Sequence, residues 1–90
     1  MQKKLFTVVI ATYNAGKTIE RAILSVISQK TEHVELIIAD GASKDDTMSI
    51  VNKYRDKIDV IISEPDHGVY DAWNKAIAKS SGQWIMFLGA

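Results

Sequence analysis

The chain has 90 residues, 11 Lys+Arg against 11 Asp+Glu, a formal net charge of zero and no cysteine. That length sets a ceiling of one small domain, and 47% hydrophobic residues are enough to build a core. The charge balance offers no basic face to a phosphate backbone, so nucleic acid is not an expected partner. Zero cysteines exclude a disulfide framework and any thiolate metal site, and fit a reducing compartment. No apolar run approaches membrane-spanning length. The two Lys before Leu5 imitate a signal peptide, but the stretch that follows is short and leads into a turn.

Phe6 to Ala11 is rich in β-branched residues and is bounded by the turn-prone Asn14-Ala15-Gly16, which predicts a first strand. Ile19, Ala22, Ile23, Val26 and Ile27 recur at helical spacing and predict an amphipathic helix over 16–29. Val34 to Ala39 is a second strand. Asp40 to Asp46 has loop composition. Met48, Val51 and Tyr54 mark a second helix starting at Asp46 or Thr47.

Asp59 to Ser63 is a third strand, and Glu64 to Gly68 is a loop. Tyr70, Trp73, Ala76 and Ile77 lie along one side of a third helix, which Ser80-Ser81-Gly82 ends. Gln83 to Leu88 is a fourth strand. The strands are short and almost wholly apolar, as strands buried on both faces are. The expected fold is therefore α/β: a Rossmann-like parallel sheet with flanking helices, in the order β-α-β-α-β-α-β. Ligands bind such sheets beyond the carboxyl ends of the strands. That places Thr12-Tyr13-Asn14, Asp40 to Ser43, Pro65 to Gly68 and whatever follows Leu88 around one site.

The residues at these tips support several chemistries. Ala11 to Thr18 ends in Gly-Lys-Thr at Walker-like spacing, and Leu36 to Asp40 resembles a Walker B strand. A P-loop, however, would have glycine where Ala11 stands, and bulky Tyr13 fills its interior. A Rossmann dinucleotide loop is not present, since the first turn lacks G-x-G-x-x-G. Asp40 caps an apolar strand, where a carboxylate must accept hydrogen bonds from a ligand or from its own loop. Tyr13 offers a π-face for a base or plugs the sheet edge. Asn14 is placed to cap the first helix, and Asp45 and Asp46 to cap the second. Asp71 and Asn74 share a helix face directed at the cleft or at solvent. His67 has no second histidine at ligand spacing and reads as a solvated loop residue. Trp73 and Trp84 read as core.

Taken together, these segments resemble the family-two inverting glycosyltransferases of the GT-A type, over essentially the whole chain from Thr7. TVVIATYNAGKTIERAILSVISQ is similar to the family's opening strand, Tyr-Asn turn and first helix, and VELIIADGASKDDT to its second strand and acidic loop. ISEPDHGVYDAWNKAIAKSSGQWIMFLGA is similar to the approach to its metal motif, in a branch associated with bacterial surface polysaccharides.

The resemblance implies the donor-nucleotide-binding half of a GT-A fold, one truncated domain over 1–90. It implies a nucleotide-sugar donor, most often a UDP-sugar, and a glycan or lipid-linked acceptor. By motif match, the backbone at Ala11 and the ring of Tyr13 would contact the base and Asp40 the base edge. Gly41 to Ser43 would lie beside the ribose, with Thr12, Asn14 and Asp71 completing the substrate-binding set. A divalent cation, Mg or Mn, is expected in the full-length parent on an Asp-x-Asp past Ala90, with none bound by this portion alone. The general base would lie further on, so the portion itself is expected to be inactive and the parent to be cytoplasmic or at the inner face of the membrane. Three residues depart from the family pattern. Gly41 stands where a second acid is usual, Ala11 where proline is common, and Trp73 where many members have arginine. The other readings are a P-loop fragment and a ligand-free α/β interaction module. An apolar fourth strand at a sheet edge also implies self-association.

Overall fold

The computed structural model describes residues 5–65 and 69–89, with the side chains of 69–72 outside that description. The elements follow the expected order: β1 (Phe6–Thr12), α1 (Ile19–Ile27), β2 (Val34–Asp40), α2 (Thr47–Lys53), a short 3-10 turn (Arg55–Lys57), β3 (Val60–Ser63), α3 (Val69–Lys79) and β4 (Trp84–Gly89). All strand pairs are parallel, in the order β3-β2-β1-β4. The first two crossovers step outward from β1 to β3. The third carries the chain back over the sheet to the other side of β1, and the strand order reverses there.

Side-chain alternation along β1 and β2 builds two cores. Val8, Ile10, Leu36 and Ile38 meet Ile19, Ile23 and Val26 of α1 and Val51 of α2 on one face. Val9, Ala11, Ile37 and Ala39 meet Ala76 of α3 on the other, with Trp73 and Phe87 packed alongside. The small Ala11, Ala39 and Ala76 let α3 lie close to the sheet. The rings of Trp73 and Phe87 stack with centroids 4.7 Å apart. The Tyr54 hydroxyl donates to Glu20 Oε2 at 2.7 Å and ties the end of α2 to α1.

Four local expectations are corrected. The first helix begins at Ile19 rather than residue 16, because the amides of Thr18 and Ile19 both donate to the Ala15 carbonyl in a preceding turn. The third strand begins at Val60 rather than Asp59. Asp59 Oδ2 instead accepts the Leu36 amide at 2.7 Å and pairs with Lys30 at 3.1 Å. Trp84 is 65% exposed rather than core, because β4 is an edge strand, and Ile77 is likewise exposed. Burial on both faces holds for the central β1 and β2 and not for β3 and β4. His67 lies outside the described residues.

A buried polar clasp closes the amino-terminal end of the sheet. Glu35 Oε1 accepts the Thr7 hydroxyl at 3.0 Å and the Ser81 amide at 2.9 Å, and Oε2 accepts the Ser81 hydroxyl at 3.0 Å. The Gly82 amide donates to Thr7 Oγ1 at 2.9 Å. The turn into β4 is thereby pinned against β1. A Cβ at Gly82 would lie 2.6 Å from the Thr7 amide nitrogen and 2.8 Å from the Phe6 carbonyl carbon, so only glycine fits this approach. Gly82→Ala is expected to destabilise the chain by about 1–3 kcal/mol, the usual cost of forced overpacking against backbone. Urea denaturation followed by circular dichroism measures it.

Candidate functional site

The carboxyl ends of β1, β2 and β3 carry a row of polar side chains. Thr12, Asp40 and Ser63 are in register across the three strands, so they project to the same face. Asp40 is 2% exposed. Its carboxylate is satisfied from within the protein: Oδ2 accepts the Ser43 amide and the Ser63 hydroxyl, each at 2.9 Å, and Oδ1 accepts the Ser43 hydroxyl. Of the two roles open to Asp40 from the sequence, the structure shows the loop anchor. These three bonds supply what burial of a carboxylate demands.

The anchored loop then grips the loop after β1. The Asn14 amide donates to Ser43 Oγ at 2.8 Å, and Asn14 Oδ1 accepts the Lys44 amide at 2.7 Å. The Ala15 amide donates to Thr47 Oγ1 at 2.8 Å, and the Gly16 amide to Asp45 Oδ2 at 3.0 Å. Asp45 Oδ1 accepts the Thr47 amide at 2.9 Å and the Thr47 hydroxyl as well. Asn14 reaches this position with φ +48°, a left-handed conformation that asparagine tolerates. Asn14 therefore joins two loops instead of capping α1, whose N-cap is Thr18. Asp45 serves the start of α2 as expected, while Asp46 makes no side-chain cap bond.

This zipper also removes the P-loop reading. Such a loop turns its free amides on a phosphate. Here the amides of Asn14, Ala15 and Gly16 are bound to Ser43, Thr47 and Asp45.

Beside the zipper lies a cleft of about 450 Å³ lined by Tyr13, Gly41, Ala42, Lys44 and Pro65. The Tyr13 ring is 58% exposed, a free aromatic face rather than a plug for the sheet edge. Ala42 holds φ +64°, a strained conformation for a residue with a Cβ, in the loop that forms the cleft wall. Of the residues expected from the sequence, Tyr13 and Gly41 line the cleft, and Asn14 and Ser43 brace it. Asp40 lies beneath it, and Ala11 is buried within the ladder between Ala39 and Gly89. Thr12 is 5% exposed, and among the described residues its hydroxyl has no partner. The Asp71 side chain lies outside the described residues. The sequence reading missed Ala42, Lys44 and Pro65. The Asp-x-x-Ser spacing of Asp40 and Ser43, which closes the turn over position 42, was the available signal for the first two.

Among the described residues no three acidic or histidine side chains converge. Asp40 and Asp45 are already engaged, so the described residues do not supply a metal-ligand set. Nor is any described helix long and apolar enough to cross a membrane.

A parallel sheet of this order, with a polar cleft at the strand tips and an open aromatic beside it, defines a Rossmann-like nucleotide-sugar-binding fold of the GT-A type. Within that class the chain belongs to Glycosyl transferase family 2, whose pattern matches residues 7–90. It is 32% identical to a PGL/p-HBAD biosynthesis glycosyltransferase of Mycobacterium tuberculosis over 100% of this chain and 36% of that protein. It is 37% identical to WfaP of Escherichia coli, a UDP-Glc:alpha-D-GlcNAc-diphosphoundecaprenol beta-1,3-glucosyltransferase, over 94% of this chain and 34% of that protein. The crystal structure of Staphylococcus aureus TarS 1–349 with UDP-GlcNAc superposes with a TM-score of 0.83 at 28% identity, covering 94% of this chain and 26% of that one. The chain thus spans about a third of the length of these curated relatives.

The hydroxyl and amide of Thr47, together with the Gly16 amide, hold the Asp45 carboxyl below the ordinary aspartate value of 3.8. A depressed folded-state pKa contributes stability that is complete above the unfolded value and is lost as pH falls through the folded one. The zipper is therefore expected to be intact at neutral pH and to loosen only under acid conditions below 3.8. In an NMR pH titration the Gly16 and Thr47 amide resonances should move together, and Asp45→Asn should abolish that joint transition.

Proposed function

We propose that this chain forms the donor-nucleotide site of an enzyme that transfers a sugar from a nucleoside-diphosphate sugar to a glycan or lipid-linked acceptor, with inversion. The carrying observation is the cleft itself: an open Tyr13 ring beside the braced loop Gly41–Lys44, at the carboxyl ends of the strands. Membership of family 2 supports the reaction class, and the UDP-sugars carried by the TarS structure and by the name of WfaP support a uridine nucleotide. The diphosphoundecaprenol acceptor in that name supports a lipid-linked acceptor, which would set the reaction at the inner face of the membrane.

In the transfer an acceptor hydroxyl attacks the anomeric carbon opposite the diphosphate. The new C–O bond forms as the bond to the diphosphate breaks, the nucleoside diphosphate leaves with the electron pair, and the acceptor proton passes to a carboxylate base. The part of this chain is to seat the base and ribose and so fix the anomeric carbon. Neither the base carboxylate nor a metal-ligand set is assigned to its described residues. A divalent cation, where the whole enzyme binds one, would neutralise the leaving diphosphate.

Two-dimensional NMR titration with UDP and then ADP tests the proposal. UDP is expected to shift Tyr13, Gly41, Ala42 and Lys44, and ADP to leave them in place. Tyr13→Ala should weaken UDP by about tenfold, the scale of one base–aromatic stack, while Lys17→Ala should leave it unchanged. Shifts driven by ADP and centred on Gly16 to Thr18 would overturn the reading.

The same chain is expected to self-associate. Trp84 and Met86 are exposed on an edge strand that carries no charge and no proline. Sedimentation velocity across a concentration series should show a rising average mass, and a single monomeric boundary throughout would contradict it.

A further inference from the structure

We infer that Lys44 selects the base of the donor, favouring a pyrimidine with a carbonyl oxygen at position 4 over one with an amino group there. The inference rests on the nucleotide reading above and adds the residue that discriminates.

The strand order fixes which end of the ligand lies where. Chain order reverses at β1, with β2 on one side and β4 on the other. In open parallel sheets the phosphate-bearing centre of a ligand sits at that switch point. The cleft of Tyr13, Gly41, Ala42, Lys44 and Pro65 lies on the opposite side, among the tips of β1, β2 and β3. With the phosphates toward β4, the base occupies this cleft, against the Tyr13 ring.

The polar character of the cleft is one-sided. Both nearby carboxylates are turned away from it: Asp40 is buried on Ser43 and Ser63, and Asp45 is bound to Gly16 and Thr47. Position 41 is glycine and position 42 alanine, so neither brings a polar side chain. Lys44 is the one charged side chain among the lining residues. Its backbone is fixed by Asn14 Oδ1 at 2.7 Å, and its side chain is exposed. A lysine ammonium has three donors and no acceptor. It can bond the O4 of uracil or thymine, and it meets the donating N4 amino group of cytosine with no acceptor to offer. A polar group left without its partner is what makes such discrimination strong.

UDP and CDP carry the same phosphates and differ at this edge, so their affinity ratio isolates the effect. The test is NMR or calorimetric titration of the chain and of Lys44→Met with each nucleotide. An exposed lysine makes an unfolded variant unexpected, and the amide spectrum checks it. The chain is expected to favour UDP over CDP by roughly tenfold, about the worth of one charge-assisted hydrogen bond. Lys44→Met should bring the ratio to within about twofold, and Lys44→Arg should keep most of the preference. A preference that survives Lys44→Met overturns the inference, as does a chain that binds both nucleotides equally. Equal weakening of UDP and CDP by Lys44→Met would make Lys44 a phosphate contact and also overturn it. Binding of neither nucleotide by the unsubstituted chain would remove the nucleotide reading, and this inference with it.

Discussion

The buried Asp40 carboxylate is the constraint around which the ligand-binding end of the molecule is arranged. A charge that is 2% exposed at the tip of an apolar strand is tolerable only when its lone pairs are filled. Ser63 fills one from the neighbouring strand, and Ser43 fills two by folding its loop back over the strand end. That fold-back forces φ +64° at Ala42 and presents Ser43, Lys44, Asp45 and Thr47 to the loop after β1. The zipper to Asn14, Ala15 and Gly16 follows from it. The sheet sets the positions of the two strand ends, and Asp40 turns those positions into a cleft with fixed walls.

The division of labour along β1 and β2 shows how fold and site are kept apart. Their middle residues, Val8 to Ala11 and Leu36 to Ala39, are spent on two apolar cores. Only the last residue of each strand is polar, and the chemistry begins there. At the opposite end the Glu35 clasp does for β4 what Asp40 does for the loops: it holds a crossover in place with a satisfied buried carboxylate. The fourth strand is thereby fixed beside β1, which creates the switch point that gives the cleft its orientation.

The architecture was legible in the residues, because apolar strands and periodic helices alternate without ambiguity and the turns between them carry Gly, Asn and Asp. The element ends were less so. The start of α1 depends on a turn closed by the Ala15 carbonyl, and the start of β3 on an Asp59 side chain bonded across to Leu36, neither of which leaves a periodic trace. Trp84 misled because a large aromatic in an apolar strand looks like core unless the strand order is known. For the site, the sequence located Tyr13, Asp40, Gly41 and Ser43 but left Asp40 between ligand contact and loop anchor. Deciding between them takes the register of Ser63, a residue 23 positions away. Lys44 escaped notice for a related reason: an exposed lysine in a polar loop gains meaning only when the neighbouring acids are seen to face elsewhere.

The dependence of the cleft on one carboxylate is tested most directly by amide hydrogen exchange on the unsubstituted chain and on Asp40→Ala. In the former, the Asn14, Ala15 and Gly16 amides should be protected. In Asp40→Ala they should lose protection together and the response to UDP should vanish, while Val9 and Ile37 in the centre of the sheet stay protected. Protection of the three loop amides that persists in Asp40→Ala, with UDP binding intact, would contradict the account.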